Sequence, residues 1–176
     1  MKHTYLKNVV LTAACVALCI VVPMAFHAIP NAGKVFLPMH IPVLLCGMLC
    51  GWPFGLICGL LGPLLSSLIT SMPAIATLPA MMIECAVYGA VAGILMRYIR
   101  TGKLYLDLYA ALIPAMLTGR IISGVGKAFI FAPGTTLATW ATVSFVTALP
   151  GIVIQLLLIP SLVFALEQAK LIARRY

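Results

Sequence analysis

Long apolar runs that are almost free of charge dominate this chain, and they restrict it to one kind of fold. Of its 176 residues, 64% are apolar and only 8% are charged, whereas a soluble domain carries about a quarter charged residues. In hydrocarbon a backbone must satisfy its own hydrogen bonds, which leaves helices or closed barrels. The runs here are too long and too uniform for the alternating strands of a barrel. The expectation is an all-α, polytopic membrane helical bundle, formed as a single integral membrane domain over residues 1–176.

Punctuation by proline, glycine and polar residues divides the runs. Span 1 is expected over Val9–Phe26, followed by a polar segment from His27 to His40. Span 2, Ile41–Gly51, is short for a crossing unless it begins near Val35, and Trp52-Pro53 is expected to break it. Span 3 is Phe54–Thr70, closed by Ser71-Met72-Pro73, and span 4 is Leu78–Met96. Span 5 covers Leu108–Phe131 and ends at the turn Ala132-Pro133-Gly134. The remainder is too long for one helix. Thr136–Ala148 is read as an outer lid or surface helix, and Pro150–Gln168 as span 6, since proline suits a first helical turn. Lys2 and Lys7 before an apolar run are reminiscent of a signal peptide, but Ala25-Phe26-His27-Ala28 is a poor cleavage site, so span 1 is expected to be retained.

Charge sets the orientation. With six transmembrane helices, Lys2, Lys7, Arg97, Arg100, Lys103, Lys170, Arg174 and Arg175 all fall on one side, leaving only Lys34 as an outside-loop base. By the positive-inside rule that side is cytoplasmic, and both termini lie there. Five or seven spans would split the cluster. The net charge of +8 therefore has a membrane explanation, and bases this dispersed do not describe a nucleic-acid interface.

Three charges fall inside the expected spans: Glu84, Arg120 and Lys127. A charge in hydrocarbon is costly, so an intramembrane group marks a site by default. At about 1.5 Å per residue, Glu84 and Lys127 lie near the outer ends of spans 4 and 5, and Arg120 lies near the midplane. Glu84 and Tyr88 share a helix face, as do Arg120 and Lys127, with Ser123 between them. Gln155 lies just over one turn into span 6, and His40 enters from the outer end of span 2. A polar, water-accessible pocket for a small hydrogen-bonding ligand is expected from Glu84, Tyr88, Arg120, Ser123, Lys127, Gln155 and His40. The competing reading is that Glu84 pairs with Arg120 or Lys127 only to hold the bundle together, although buried pairs are poor stabilisers. His40 could close over a ligand or cap a short helix, and Trp140 could be an interface anchor or a lid residue.

Small residues recur. Glycines at 47, 51, 55 and 59, and at 89 and 93, are spaced for close helix packing within the chain. Cysteines 15, 19, 46, 50, 58 and 85 lack a zinc spacing and read as small packing residues. Ala13, Ala14 and Ala17 make a smooth face on span 1 that could pack internally or dock another membrane protein. No Walker loop, metalloprotease motif or paired nucleophile and base is present, so no cofactor, metal or catalytic residue is expected.

These features together resemble the substrate-binding S components of energy-coupling factor (ECF) vitamin transporters. The likeness rests on the six-span layout, the small size, the basic C-terminus, Ala13-x-x-x-Ala17, Pro42-Val43-Leu44-Leu45-Cys46-Gly47 with the glycines that follow, and Leu149-Pro150-Gly151 before Gln155. The resemblance implies a high-affinity vitamin-binding subunit in the bacterial plasma membrane, with its site near the outer face. It implies that the 27–40 loop gates the site. It also implies that Ala13, Ala14 and Ala17 dock onto a transmembrane T component driven by two cytoplasmic ATPases, and that the subunit topples to release its ligand. Arg120 and Lys127 point to a carboxylate- or phosphate-bearing ligand such as pantothenate, and Glu84 with Tyr88 to a heterocycle of the pyridoxine or hydroxymethylpyrimidine type. The alternatives are a small stand-alone transporter or channel acting as an oligomer, and a membrane enzyme using Glu84 or His40 as acid and base.

Overall fold

A computed structural model describes residues 2–26, 32–127 and 136–172. The expected turn at 132–134, the first part of the 27–40 loop, and Arg174 and Arg175 lie outside the described residues. Among those described, all regular elements are helical: α1 (Lys2–Ala25), α2 (Ala32–Phe36), α3 (His40–Cys50), α4 (Trp52–Thr70), α5 (Leu78–Tyr98), α6 (Leu104–Gly126), α7 (Leu137–Ala141), a π-helical turn (Thr142–Thr147) and α8 (Leu149–Gln168).

Five of these helices, α1, α4, α5, α6 and α8, are long and apolar enough to cross a membrane. Their exposed faces carry side chains that water would reject, among them Val10 and Val21 on α1, Leu68 and Ile69 on α4, Ile121 and Val125 on α6, and Leu157 on α8. Hydrocarbon accommodates such faces without cost, so they define the surface turned to lipid. Within this all-α bundle, α3 is different. It has 11 residues, about half a bilayer core at about 1.5 Å each. Nine of those residues are buried, the condition expected of a helix that is apolar all round.

Two backbone features keep α3 short. At its start, Leu37 precedes Pro38, and a residue before proline is driven out of the helical region. Leu37 takes φ +51°, separating α2 from α3, and the His40 N–H closes the turn onto the Leu37 carbonyl at 3.1 Å. At its end the chain reverses at Gly51 (φ +92°), which caps both α3 and α4. The break therefore falls at Gly51, one residue before the expected Trp52-Pro53, because only glycine takes that φ freely while proline is tolerated in the first turn that follows.

The other glycines bring backbones together. A Cβ on Gly47 or Gly55 would strike the carbonyl of Gly89, one on Gly59 the backbone of Cys85, and one on Gly93 the backbone at Gly51 and Trp52. So α3 and α4 lie directly on α5, the close approach that small residues permit in membranes. All six cysteines are free and buried, as packing residues are. At the opposite end of α5, the 99–103 connection is held by Asp107, which is fully buried and accepts from the Thr101 N–H at 2.8 Å and the Thr101 hydroxyl at 2.7 Å.

Candidate functional site

Four helices bring polar side chains to one end of the bundle. On α5, Glu84 and Tyr88 are one turn apart, and the Tyr88 hydroxyl donates to Glu84 Oε1 at 3.1 Å. From α6, the Ser123 hydroxyl donates to Glu84 Oε2 at 3.0 Å. His40, the first residue of α3, places Nε2 3.6 Å from Glu84 Oε1, beyond hydrogen-bonding range. Its ring tilts on Tyr88 with centroids 5.1 Å apart. Gln155 enters from α8 and is fully buried, and α8 packs on both α3 and α6.

Local sequence makes this approach possible. Tyr88 is fully buried with its ring against the backbone of α6 at Gly119, where any Cβ would overlap Cδ1 and Cε1. Gly124, a little over one turn further on, receives the indole of Trp140 in the same way. Gly151 lets the first turn of α8 meet the backbone of Val35 and Phe36, so α2 is seated beside the site.

Arg120 does not pair with Glu84. Its Nη1 donates to the Ser144 carbonyl, and its guanidinium lies 5.8 Å from the Phe145 ring centroid. Phe145 in turn meets Trp140 edge-on at 5.7 Å. The segment of α7 and the π-turn thus covers Arg120 through Ser144 and Phe145, with Trp140 packed on Gly124 and Phe145 beside them. The reading that Glu84 pairs with Arg120 or Lys127 as a bundle clasp is corrected: Glu84 is held by Tyr88 and Ser123 beside His40. Lys127 ends α6 at half-burial, its N–H bonded to the carbonyls of Ser123 and Gly124.

A second correction concerns access. The expected pocket was water-accessible, but His40, Arg120 and Gln155 are 1%, 3% and 0% exposed. They are also short of partners. Both ring nitrogens of His40, Nε and Nη2 of Arg120, and both amide atoms of Gln155 are buried without a hydrogen bond. Such groups are rare in folded proteins and each costs free energy comparable to a lost hydrogen bond. Open clefts lie instead at the far end. One of about 840 Å³ is lined by Gly102, Leu104, Phe164, Glu167 and Lys170, and one of about 480 Å³ by Leu6, Val10, Leu166 and Leu171.

Some contributors had no signal in sequence. Ser144 acts through its backbone carbonyl, an acceptor every residue possesses, and Phe145 lies in a stretch read only as an outer lid or surface helix. Gly119 could have been found from its position beside Arg120 on the face that meets Tyr88. On α1, Thr12, Cys15 and Cys19 point inward while Ala13, Ala14 and Ala17 are exposed.

Fold and site define a multi-pass membrane protein in which a polar cluster is enclosed between helices at one end. The chain belongs to the substrate-specific components of ECF transporters, whose family profile matches residues 7–163. Members are the substrate-specific subunits of such transporters. No characterised protein and no solved structure matches the chain.

Proposed function

We propose that this chain, as one membrane domain, is the high-affinity binding subunit of an ATP-driven ECF importer in a bacterial plasma membrane, and that it carries a B-group vitamin or precursor rather than catalysing a reaction. The observation that carries the proposal is the set of six unpartnered polar atoms on His40, Arg120 and Gln155, all buried at one end of the bundle. A fold retains such atoms at a cost, and a polar ligand that satisfies them supplies the compensating interaction. Glu84, Tyr88 and Ser123 form the frame beside them, and Lys127 stands at its rim.

The topology proposed has six crossings and cytoplasmic termini, with α2 and α3 in series serving as the second. The site then faces outward. The exposed Ala13, Ala14 and Ala17 suit the docking of a T component that works with two cytoplasmic ATPases, and a smooth face allows the close approach such a contact needs. Covering of the site by Trp140, Ser144 and Phe145, and seating of α2 on Gly151, supports gating by both outer segments.

A thermal-shift screen of the purified chain against water-soluble vitamins and their precursors tests this reading. A ligand at about a thousand times its dissociation constant adds about 4 kcal/mol of stability. One strong hit is expected. No shift with any compound, at concentrations up to millimolar, would sink the proposal.

A further inference from the structure

The unmet hydrogen bonding in the site is not evenly divided between donors and acceptors. Glu84 already has a protein donor on each oxygen, Tyr88 on Oε1 and Ser123 on Oε2. Arg120 is in the opposite condition. Nη1 is engaged by the Ser144 carbonyl, while Nε and Nη2 have no partner in a side chain that is 3% exposed. Those two nitrogens form one edge of a planar group that only donates. Their parallel N–H bonds match the two oxygens of a carboxylate, a frequent bidentate pairing of arginine. Of the other unpartnered groups, the neutral His40 ring and the Gln155 amide each offer one donor atom and one acceptor atom, and Trp140 Nε1 is a further donor. Glu84 thus already receives protein donors, whereas the free edge of Arg120 calls for an acceptor that no protein group supplies.

We propose that the ligand is a small organic carboxylate whose two oxygens bind the Nε–Nη2 edge of Arg120, while Gln155 and His40 read hydroxyl or amide groups on its body. This rests on the reading of the cluster as a substrate site. It gives Glu84 a positioning role, holding Tyr88 and Ser123, and makes Arg120 the counter-ion of the ligand. Because the free edge is sealed from solvent and Phe145 covers the guanidinium, the carboxylate reaches Arg120 only when the outer segment moves aside.

Matched pairs of acid and neutral analogue test the assignment on the full chain: pantothenate with pantothenol, nicotinate with nicotinamide, and biotin with its methyl ester. Pyridoxine, thiamin and hydroxymethylpyrimidine complete the panel. In the pair that binds, the acid is expected to bind about 100-fold more tightly than its partner, the scale of two charge-assisted hydrogen bonds. Arg120→Gln should erase that preference, and Arg120→Lys, which keeps the charge and loses the fork, should recover only part of it. The wild-type comparison decides the matter even where a variant does not fold. Tight binding of a neutral or cationic compound, with the acids silent, overturns the carboxylate assignment and leaves the binding subunit intact. Silence from the whole panel overturns both.

Discussion

Gly119→Ala is the smallest change that separates a built site from incidental packing. Its new methyl would overlap Cδ1 and Cε1 of Tyr88 and lie 3.0 Å from the Glu84 carbonyl oxygen. Tyr88 is fully buried with the tilted His40 ring against it, so its ring has no open direction in which to retreat. Forcing one methyl into a packed interior costs about 1–3 kcal/mol. If the ring shifts, its hydroxyl leaves Glu84, and a hydrogen bond to a charged group contributes about 1.5–3 kcal/mol. The two costs overlap, because the ring either holds its place under strain or moves and loses its bond. A total of about 2–3 kcal/mol is expected, divided between folding stability and ligand affinity. Thermal unfolding with and without ligand, together with a binding titration, measures both shares. Gly33→Ala is the control, since nothing lies within 4 Å of a Cβ there. Gly119→Ala with wild-type melting temperature and wild-type affinity would refute the packing of Tyr88 on α6 and its part in the site.

Other substitutions probe the remaining elements. Gly89→Ala places its methyl on the backbone of Gly55, where no side chain can yield; it should cost more than ordinary overpacking and sharply lower the yield of monodisperse protein in size-exclusion chromatography. Asp107→Ala removes the acceptor of two Thr101 hydrogen bonds and should destabilise the fold by about 1.5–3 kcal/mol while leaving ligand affinity unchanged in a titration. Ala13→Leu with Ala17→Leu alters only an exposed face; ligand binding by the isolated chain should persist, and co-purification with the T component and ATPases should be lost. Retained co-purification would move the docking surface elsewhere.

The long helices were legible because hydrocarbon imposes a simple rule on composition, and α1, α4, α5, α6 and α8 obey it. α3 was harder to read. Its brevity follows from Pro38 and Gly51 together with its burial on every side, and burial depends on neighbours that a local reading does not see. At Trp52-Pro53 the proline was the louder signal, but glycine carried the turn. In the polar cluster, intramembrane charge and i, i+4 spacing pointed to side chains that the fold brings into contact, Glu84 with Tyr88 and Ser123 above all. The pairing among them was not legible. Opposite charge suggested Glu84 with Arg120, yet Arg120 turns to the Ser144 carbonyl and the Phe145 ring. Main-chain acceptors and ring faces leave no distinctive mark in a sequence, and neither does the closure that seals His40, Arg120 and Gln155 from water.

The most direct test of the central claim follows a radiolabelled ligand, identified by the screen, into sealed liposomes that contain this chain alone. Retained label should saturate at one ligand per accessible chain and stay constant when the internal volume of the liposomes is enlarged, as for a binding subunit that needs its partners to transport. Label that grows in proportion to the internal volume would contradict this and establish a transporter that works by itself.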